Sequence, residues 1–69
     1  MPETTPETKL GNVLLQPGAF VRHPARPDWG LGQIQSMIGS RITVNFENAG
    51  KLLIDGTVIE LERDPPRRQ

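Results

Sequence analysis

His23 is the only histidine of this 69-residue chain, and so the first residue to weigh for chemistry. A catalytic histidine needs a nucleophile or a carboxylate arranged around it, and a metal-binding histidine needs further ligands. Asp28 follows nearby, but no recognisable pairing motif contains both residues. The favoured interpretation is that His23 caps a strand end before Pro24, and contact with a partner is the alternative. The sequence therefore predicts no catalytic residue, no metal site and no cofactor.

Trp29 is the only tryptophan, and it follows a proline-containing loop that holds Arg26 and Asp28. In one interpretation its ring closes one end of a core that is short of aromatic residues. In the other, a partly exposed ring beside arginines stacks a nucleic-acid base or anchors a protein contact. The adjoining Gly30-Leu31-Gly32 is a fragment of a phosphate-loop pattern. Because the third glycine and a following helix are lacking, a strand bulge or tight bend is the better interpretation.

The charge balance disfavours non-specific nucleic-acid binding. The chain has eight basic and eight acidic residues, whereas proteins that coat nucleic acid usually carry a basic excess that neutralises phosphates. A local basic patch keeps nucleic acid as the alternative to a protein partner. Arg41 and Lys51 are placed in hairpin turns. There, the ordinary interpretation is a solvated charge, and contact with a partner is the alternative. The residues that we expect to contact a partner are Arg22, His23, Arg26, Trp29, Arg41, Lys51 and Leu53.

The length leaves room for one domain, stabilised by about 3–5 kcal/mol from a single small core. Cysteine is absent, so no disulfide or zinc knuckle staples the chain, which fits a reducing compartment. The N-terminal MPETTPETKLGN lacks the basic start and apolar run of a secretory signal. The longest apolar runs, Val13 to Leu15 and Leu52 to Ile54, are far shorter than the ~20 residues that span a bilayer. We therefore expect a cytoplasmic protein that does not enter a membrane.

Short apolar runs between turn residues predict an all-β domain, a small closed or nearly closed barrel of five strands. Residues 1–9 are expected to be a disordered arm, residues 10–62 the barrel, and residues 63–69 a flexible tail. Leu10 to Leu15 is expected to dock on the barrel as a short strand or turn. The predicted strands are residues 19–23, 31–38, 42–46, 51–54 and 58–61, the last being a strand or a 3-10 turn.

The connection between the second and third strands raises a question of register. Gly39-Ser40 looks like a two-residue hairpin turn, but such a turn would set Ile34 opposite Asn45, and a one-residue slip moves every side chain to the wrong face. We therefore expect an odd-length loop or a bulge. A three-residue loop pairs Ile38 with Ile42, Ser36 with Val44, and Ile34 with Phe46. It assigns these residues to the core: Ile34, Ile38, Ile42, Val44 and Phe46. In the fourth strand, Leu52 and Ile54 are expected to face inward and Leu53 outward.

Four segments carry a resemblance to a known family: V-R-H-P, W-G-L-G-Q-I, R-I-T-V-N-F and K-L-L-I, within Phe20 to Leu61. Together they resemble the C-terminal Tudor-like domain of UvrD/PcrA-type helicases. A closer likeness is to a family of short, stand-alone bacterial domains of unknown function. The resemblance implies a five-stranded SH3/Tudor-like barrel that docks on RNA polymerase or helicase-type machinery. The chain has no helicase motor, and its loop before Trp29 is longer than the helicase pattern.

Three functions follow from these observations, and an enzyme is not among them. The first is a binding module that docks on a protein partner, such as the transcription or DNA-repair machinery. The second is a nucleic-acid-binding barrel, which needs the basic residues on one face. The third is a self-associating structural protein, a homodimer in which Leu10 to Leu15 or an open strand edge pairs with another copy. We rank them in that order.

Overall fold

Five short strands form one antiparallel sheet in the computed structural model, which describes residues 10–64. The strands are β1 (Phe20–Arg22), β2 (Gly32–Ile38), β3 (Arg41–Phe46), β4 (Gly50–Asp55) and β5 (Glu62–Arg63), and their order in the sheet is β4-β3-β2-β1-β5. A one-turn helix α1 (Leu10–Val13) precedes β1, and a 3-10 turn (Pro27–Trp29) precedes β2. The predicted all-β class with five strands is confirmed. Within residues 10–64, β4 and β5 are the two sheet edges and do not pair with each other.

The ends of the chain differ from the sequence expectation. The arm predicted for residues 1–9 and most of the predicted tail, residues 65–69, lie outside the described residues. The segment 10–15, expected to dock as a short strand or turn, contains the helical turn α1, and its Leu15 is buried in the core. Arg63, assigned to the tail, is the last residue of β5 and pairs with Val21.

The last strand begins four residues later than predicted, at Glu62 instead of residue 58. A turn after β4 explains why β5 begins later in the sequence than predicted. The Asp55 carboxylate accepts hydrogen bonds from the Thr57 backbone N–H at 2.9 Å and from the Thr57 hydroxyl at 2.6 Å. The Asp55 carbonyl accepts bonds from the N–H groups of Val58 and Ile59, each at 3.0 Å. Such a side-chain-supported turn holds these backbone groups locally and keeps them out of a strand ladder.

The hairpin between β2 and β3 combines a two-residue turn with a β-bulge. Ile38 pairs with Arg41 across Gly39-Ser40, so the three-residue loop and its pairings are wrong. The register shifts between Ile34 and Ser36, and Ile34 is thereby set opposite Val44. A bulge, the second solution expected from the sequence, is thus confirmed. It adds one residue to β2 and restores the inward direction of Ile34.

The core lies on one side of the sheet, and Ile38 is not part of it. Ile34, Ile42, Val44 and Phe46 are at most 2% exposed, as predicted, whereas Ile38 is 74% exposed. Ile38 points to solvent because it pairs with Arg41, which is also exposed. The remaining buried apolar residues are Leu15, Val21, Ile54 and Leu61. In β4, Ile54 is buried, Leu52 packs against the core and Leu53 is 64% exposed, so the predicted alternation is confirmed.

Gly32 allows β2 to lie close to β3. A β-carbon at this position would lie 2.6 Å from Val44 Cγ1 and 2.7 Å from Phe46 Cδ1, closer than packed carbon atoms approach. Gly32 also pairs with both Val21 and Phe46, so it lies at the junction of β1, β2 and β3. The role of Gly32 is thus structural, but it is a close approach of strands, and the bulge of β2 lies further along, between Ile34 and Ser36.

Asn12 is a buried polar side chain that the sequence analysis did not single out. It is 0% exposed and connects α1 to the segment between β4 and β5. Its Nδ2 donates to the carbonyls of Gly56 at 3.1 Å and Ile59 at 2.6 Å, and its Oδ1 accepts from the Leu61 N–H at 2.9 Å. One amide therefore satisfies three backbone groups in a segment that has no strand partner.

We expect Asn12→Ala to lower the free energy of unfolding by about 2–4 kcal/mol, because buried groups left without partners cost ~1–3 kcal/mol each. Urea denaturation followed by the fluorescence of Trp29 measures this change. The control is Asn45→Ala on an exposed position of β3, which should change stability by no more than about 0.5 kcal/mol. Equal effects of the two substitutions would contradict the anchoring role of Asn12.

Candidate functional site

The first candidate site is the loop cluster, defined as His23, Arg26, Asp28 and Trp29. The chain reaches it from the end of β1 and winds into the 3-10 turn at Pro27. The turn is held by backbone bonds from the Arg26 N–H to the His23 carbonyl and from the Trp29 N–H to the Arg26 carbonyl, both 3.1 Å. Proline at the start of this turn supplies a preset φ where a free N–H is not needed.

His23 is a structural member of the loop cluster. It is 7% exposed, and its Nδ1 accepts a hydrogen bond from the Ala25 N–H at 3.1 Å. Its ring meets Trp29 edge-on, with ring centroids 4.9 Å apart. This geometry fits the capping interpretation of His23, and it leaves little of the ring for a partner to contact.

Trp29 lies half-buried over the end of the core, and Arg26 covers its outer side. The Trp29 ring packs against Phe46 at a centroid distance of 5.2 Å, and the Arg26 guanidinium carbon lies 4.9 Å from the Trp29 ring centroid. Arg26 also forms an ion pair with Asp28 at 3.4 Å. The side-chain hydrogen bond from Arg26 holds the pKa of Asp28 below its ordinary value. The aromatic and charged groups of the loop cluster are therefore largely engaged with one another.

The β3–β4 turn fixes the loop cluster in place, through two residues that the sequence analysis did not select. Glu47 Oε2 accepts from the Leu31 N–H at 2.9 Å, and Asn48 Nδ2 donates to the Asp28 carbonyl at 3.2 Å. Gly30 lies between them with φ of +78°, and a β-carbon there would be 2.6 Å from Glu47 Cγ. A glycine is required because both the left-handed backbone and the close contact exclude a side chain.

The second candidate site is the outer face, the solvent side of β2, β3 and β4. Directly paired residues of antiparallel strands point to the same side of the sheet. Three rows of paired or adjoining residues make up this face: Ile38, Arg41 and Asp55; Ser36, Thr43 and Leu53; Gln33, Asn45 and Lys51.

Ile38 and Leu53 give the outer face an apolar centre, at 74% and 64% exposure. They lie on β2 and β4, on either side of β3 and two residues apart along the strands, and so roughly 12 Å apart. Phe20, 44% exposed, pairs with Gln33 and extends the apolar surface onto β1. A groove at the Arg41 end of the face is lined by Ser40, Arg41, Leu53, Ile54 and Asp55.

The predicted contact residues therefore do not form one site in the structure. His23, Arg26 and Trp29 belong to the loop cluster, and Arg41, Lys51 and Leu53 belong to the outer face. Arg22 belongs to neither, because it projects from β1 and forms an ion pair with Asp64. The hydrogen bond from Arg22 to Asp64 raises the pKa of the guanidinium further. Ile38 joins the outer face although the sequence analysis assigned it to the core.

The basic residues do not form one continuous patch. Arg22 and Arg26 are ion-paired, whereas Arg41 and Lys51 form no ion pair with any residue of 10–64. Lys51 pairs with Asn45, which lies four positions along β3 from Arg41. The α-carbons of Arg41 and Lys51 are consequently roughly 14 Å apart. An apolar residue, Leu53, lies between them.

Two further properties concern only the described part of the chain. Among residues 10–64, no group of three or more His, Cys, Asp or Glu side chains is arranged to hold a metal ion. Neither helical segment in this range has the length and apolar character that crossing a bilayer requires.

We expect Arg26→Ala to destabilise the protein by about 0.5–1 kcal/mol, the usual strength of an exposed cation–aromatic contact. The pKa of Asp28 should rise toward its ordinary value, as measured by NMR titration of the carboxyl group. Since the folded-state pKa of Asp28 is lowered, the ion pair stabilises the protein above the ordinary carboxyl pKa and is lost as the pH falls through the lowered value.

The matched control for this prediction is Arg26→Lys, which keeps the charge but loses the planar guanidinium that stacks on Trp29. It should preserve most of the lowering of the Asp28 pKa and lose part of the stability. An unchanged Asp28 pKa in Arg26→Ala would contradict the assigned cause.

The sequence was compared with known proteins at three levels. A search of curated proteins gave no significant match, and neither did a search of solved structures. A family model matches residues 15–63, which include every strand of the sheet. The match thus covers the loop cluster and the outer face together. The chain belongs to the family described as "Protein of unknown function (DUF3553)".

Proposed function

We propose that this chain is a non-catalytic docking module of the SH3/Tudor-like kind, whose outer face binds a protein partner in the cytoplasm. The observation that carries the proposal is the exposure of Leu53 and Ile38 on a sheet face that also presents Arg41 and Lys51. Apolar side chains on a rigid sheet, surrounded by polar groups, are typical of protein-contact surfaces. The sheet fixes their positions before binding, so little ordering entropy is lost.

The charges of the outer face indicate what kind of partner it fits. Arg41 and Lys51 flank Leu53 and have no ion-pair partner among residues 10–64. Asp55 is the one acidic residue of the three rows. A complementary surface would present an apolar side chain between carboxylates, since opposite potentials steer association and disfavour wrong partners.

The resemblance to helicase C-terminal Tudor-like domains supports the transcription and repair machinery as the source of that partner. RNA polymerase and helicase-type proteins are therefore the candidates that we propose to test first. The loop cluster supports the outer face, rather than the loop itself, as the contact surface. Its side chains contact one another and the β3–β4 turn, which makes it a rigid end of the domain and leaves recognition to the outer face.

A nucleic-acid ligand is the second candidate, and one observation favours it: two unpaired basic residues on one face. Against it, Arg22 and Arg26 are ion-paired within the domain, and the remaining pair lies roughly 14 Å apart with Leu53 between. Phosphate binding gains affinity from many neighbouring basic groups and falls steeply with salt. The geometry supports a protein partner better.

We expect Leu53→Asp to weaken partner recovery by about 30-fold, as for a central contact residue worth ~2 kcal/mol. The experiment is an affinity pull-down from native lysate, with and without nuclease treatment, in which RNA polymerase and repair helicases are quantified by mass spectrometry. The matched control is Val58→Asp, because Val58 is 65% exposed against 64% for Leu53 but lies in the turn after β4.

Retention of the same polymerase or helicase by the wild-type and Val58→Asp baits, with loss only for Leu53→Asp, would support the proposal. Equal recovery by all three baits would contradict it. Loss of every partner after nuclease treatment would favour the nucleic-acid alternative, which a steep salt dependence of binding would then establish.

A further inference from the structure

The outer edge of β4 is a long strand edge without a partner among the described residues. β4 spans six residues and pairs on one side only, with β3. Lys51 and Leu53 of this strand are exposed on the outer face, with Leu53 64% exposed. An exposed edge of this length presents a row of backbone donors and acceptors that can template another strand.

The register of the β3–β4 ladder shows which backbone groups face this edge. In antiparallel pairs the residues alternate between exchanging backbone bonds with their partner and pointing these groups away. The Gly56 N–H donates to the Ser40 carbonyl at 2.7 Å, which continues the ladder in the phase of Ile54 and Leu52. The backbone groups of Lys51 and Leu53 therefore point to the open edge, whereas the carbonyl of Asp55, in the same phase, already accepts bonds from the Val58 and Ile59 N–H groups. Within residues 10–64, no residue bonds to those of Lys51 or Leu53.

The side chains of these edge residues form a self-complementary pattern. Lys51, Leu53 and Asp55 are evenly spaced on the outer face, with opposite charges on either side of a leucine. We propose that a second copy of this chain pairs antiparallel with β4 about a two-fold axis at Leu53. Each Lys51 then lies opposite Asp55 of the other copy, and the two Leu53 side chains are direct neighbours.

Several features of the edge residues suit this pairing. The Thr57 hydroxyl and N–H hold the pKa of Asp55 below its ordinary value, so the carboxylate is charged at neutral pH. Both bonds are made to Oδ1, which leaves Oδ2 for a lysine of the second copy. Lys51 has no ion pair within residues 10–64. Opposite charges directly across an antiparallel pair are stabilising, and a closed two-fold contact needs such a self-complementary surface.

The interface is small, and this sets the expected affinity. Strand-edge pairing over the five residues 51–55 buries less area than the standard ~1,600 Å² of a stable interface. We therefore expect a weak dimer, with a dissociation constant on the order of 10⁻⁴ M. Pairing leaves the outer face of each copy open and joins the two into one surface centred on both Leu53 side chains. The proposed dimer does not depend on which partner the outer face binds.

Analytical ultracentrifugation tests the dimer directly, over a series of protein concentrations that reaches about 1 mM. Amide hydrogen exchange by NMR locates it. The amide of Leu53 should gain protection at high concentration, because its N–H then donates across the new strand pair. A monomer over the whole series overturns the proposal, as does a dimer whose concentration-dependent protection lies at Val13 and Leu14 instead.

Two test variants and one control separate a loss of edge pairing from a change of fold. Lys51→Glu should raise the dissociation constant at least about tenfold, since it sets Glu against Asp55 of the other copy. The control Arg63→Glu makes the same charge change on β5, at the other edge of the sheet, and should leave the dissociation constant within about threefold. Leu53→Pro removes an edge-directed N–H, which edge strands tolerate, and should abolish dimerisation with Trp29 fluorescence unchanged. A folded Leu53→Pro variant that still dimerises would overturn the proposal.

Discussion

The β-bulge between Ile34 and Ser36 is the constraint on which the two faces of the sheet depend. The turn at Gly39-Ser40 has two residues, and without an inserted residue it would direct Ile34 toward solvent. The bulge corrects the register halfway along β2, so that Ile34 meets Val44 in the core while Ile38 meets Arg41 outside. The same correction decides the composition of the outer face. A domain this small cannot bury every apolar residue. The two-residue turn leaves Ile38 exposed opposite Arg41, and the bulge keeps Ile34 from the same exposure.

Side-chain hydrogen bonds satisfy backbone groups that the strand ladders leave without partners. Asn12 holds the segment between β4 and β5 against α1 and thereby supports the burial of Leu15 and Leu61. At the other end, Glu47 and Asn48 hold the 3-10 turn against the β3–β4 turn. Both devices act where the backbone lacks a ladder partner, and an unsatisfied polar group would be costly there. Both connections thereby have backbone polar groups satisfied by side chains from another part of the chain.

The sequence predicts the strands well because their signals are local, and it predicts the connections poorly because theirs are not. A period of two within β3 and β4 is enough to assign Val44 to the core and Leu53 to solvent. A three-residue loop and a two-residue turn with a bulge both direct Ile34 and Val44 into the core, so the strand pattern does not choose between them, and Ile38 was misassigned for that reason. Asn12 acts on residues more than forty positions away, and no local pattern reveals such a contact. Glu47 was missed for a similar reason, because its close contact with Gly30 arises only in the three-dimensional structure.

The two edges of the sheet are treated differently, and the difference bears on how the domain meets other chains. β5 has two residues, too few to template a strand, and Arg22 and Asp64 form an ion pair beside it. Proteins commonly protect an edge by such shortness or by charge. β4 has six residues and only the charges of Lys51 and Asp55. In a parallel, in-register pair these would set lysine against lysine and aspartate against aspartate, which is destabilising. In the antiparallel pair each meets its opposite. The charges at this edge therefore discourage open-ended parallel stacking while they permit one closed, two-fold contact.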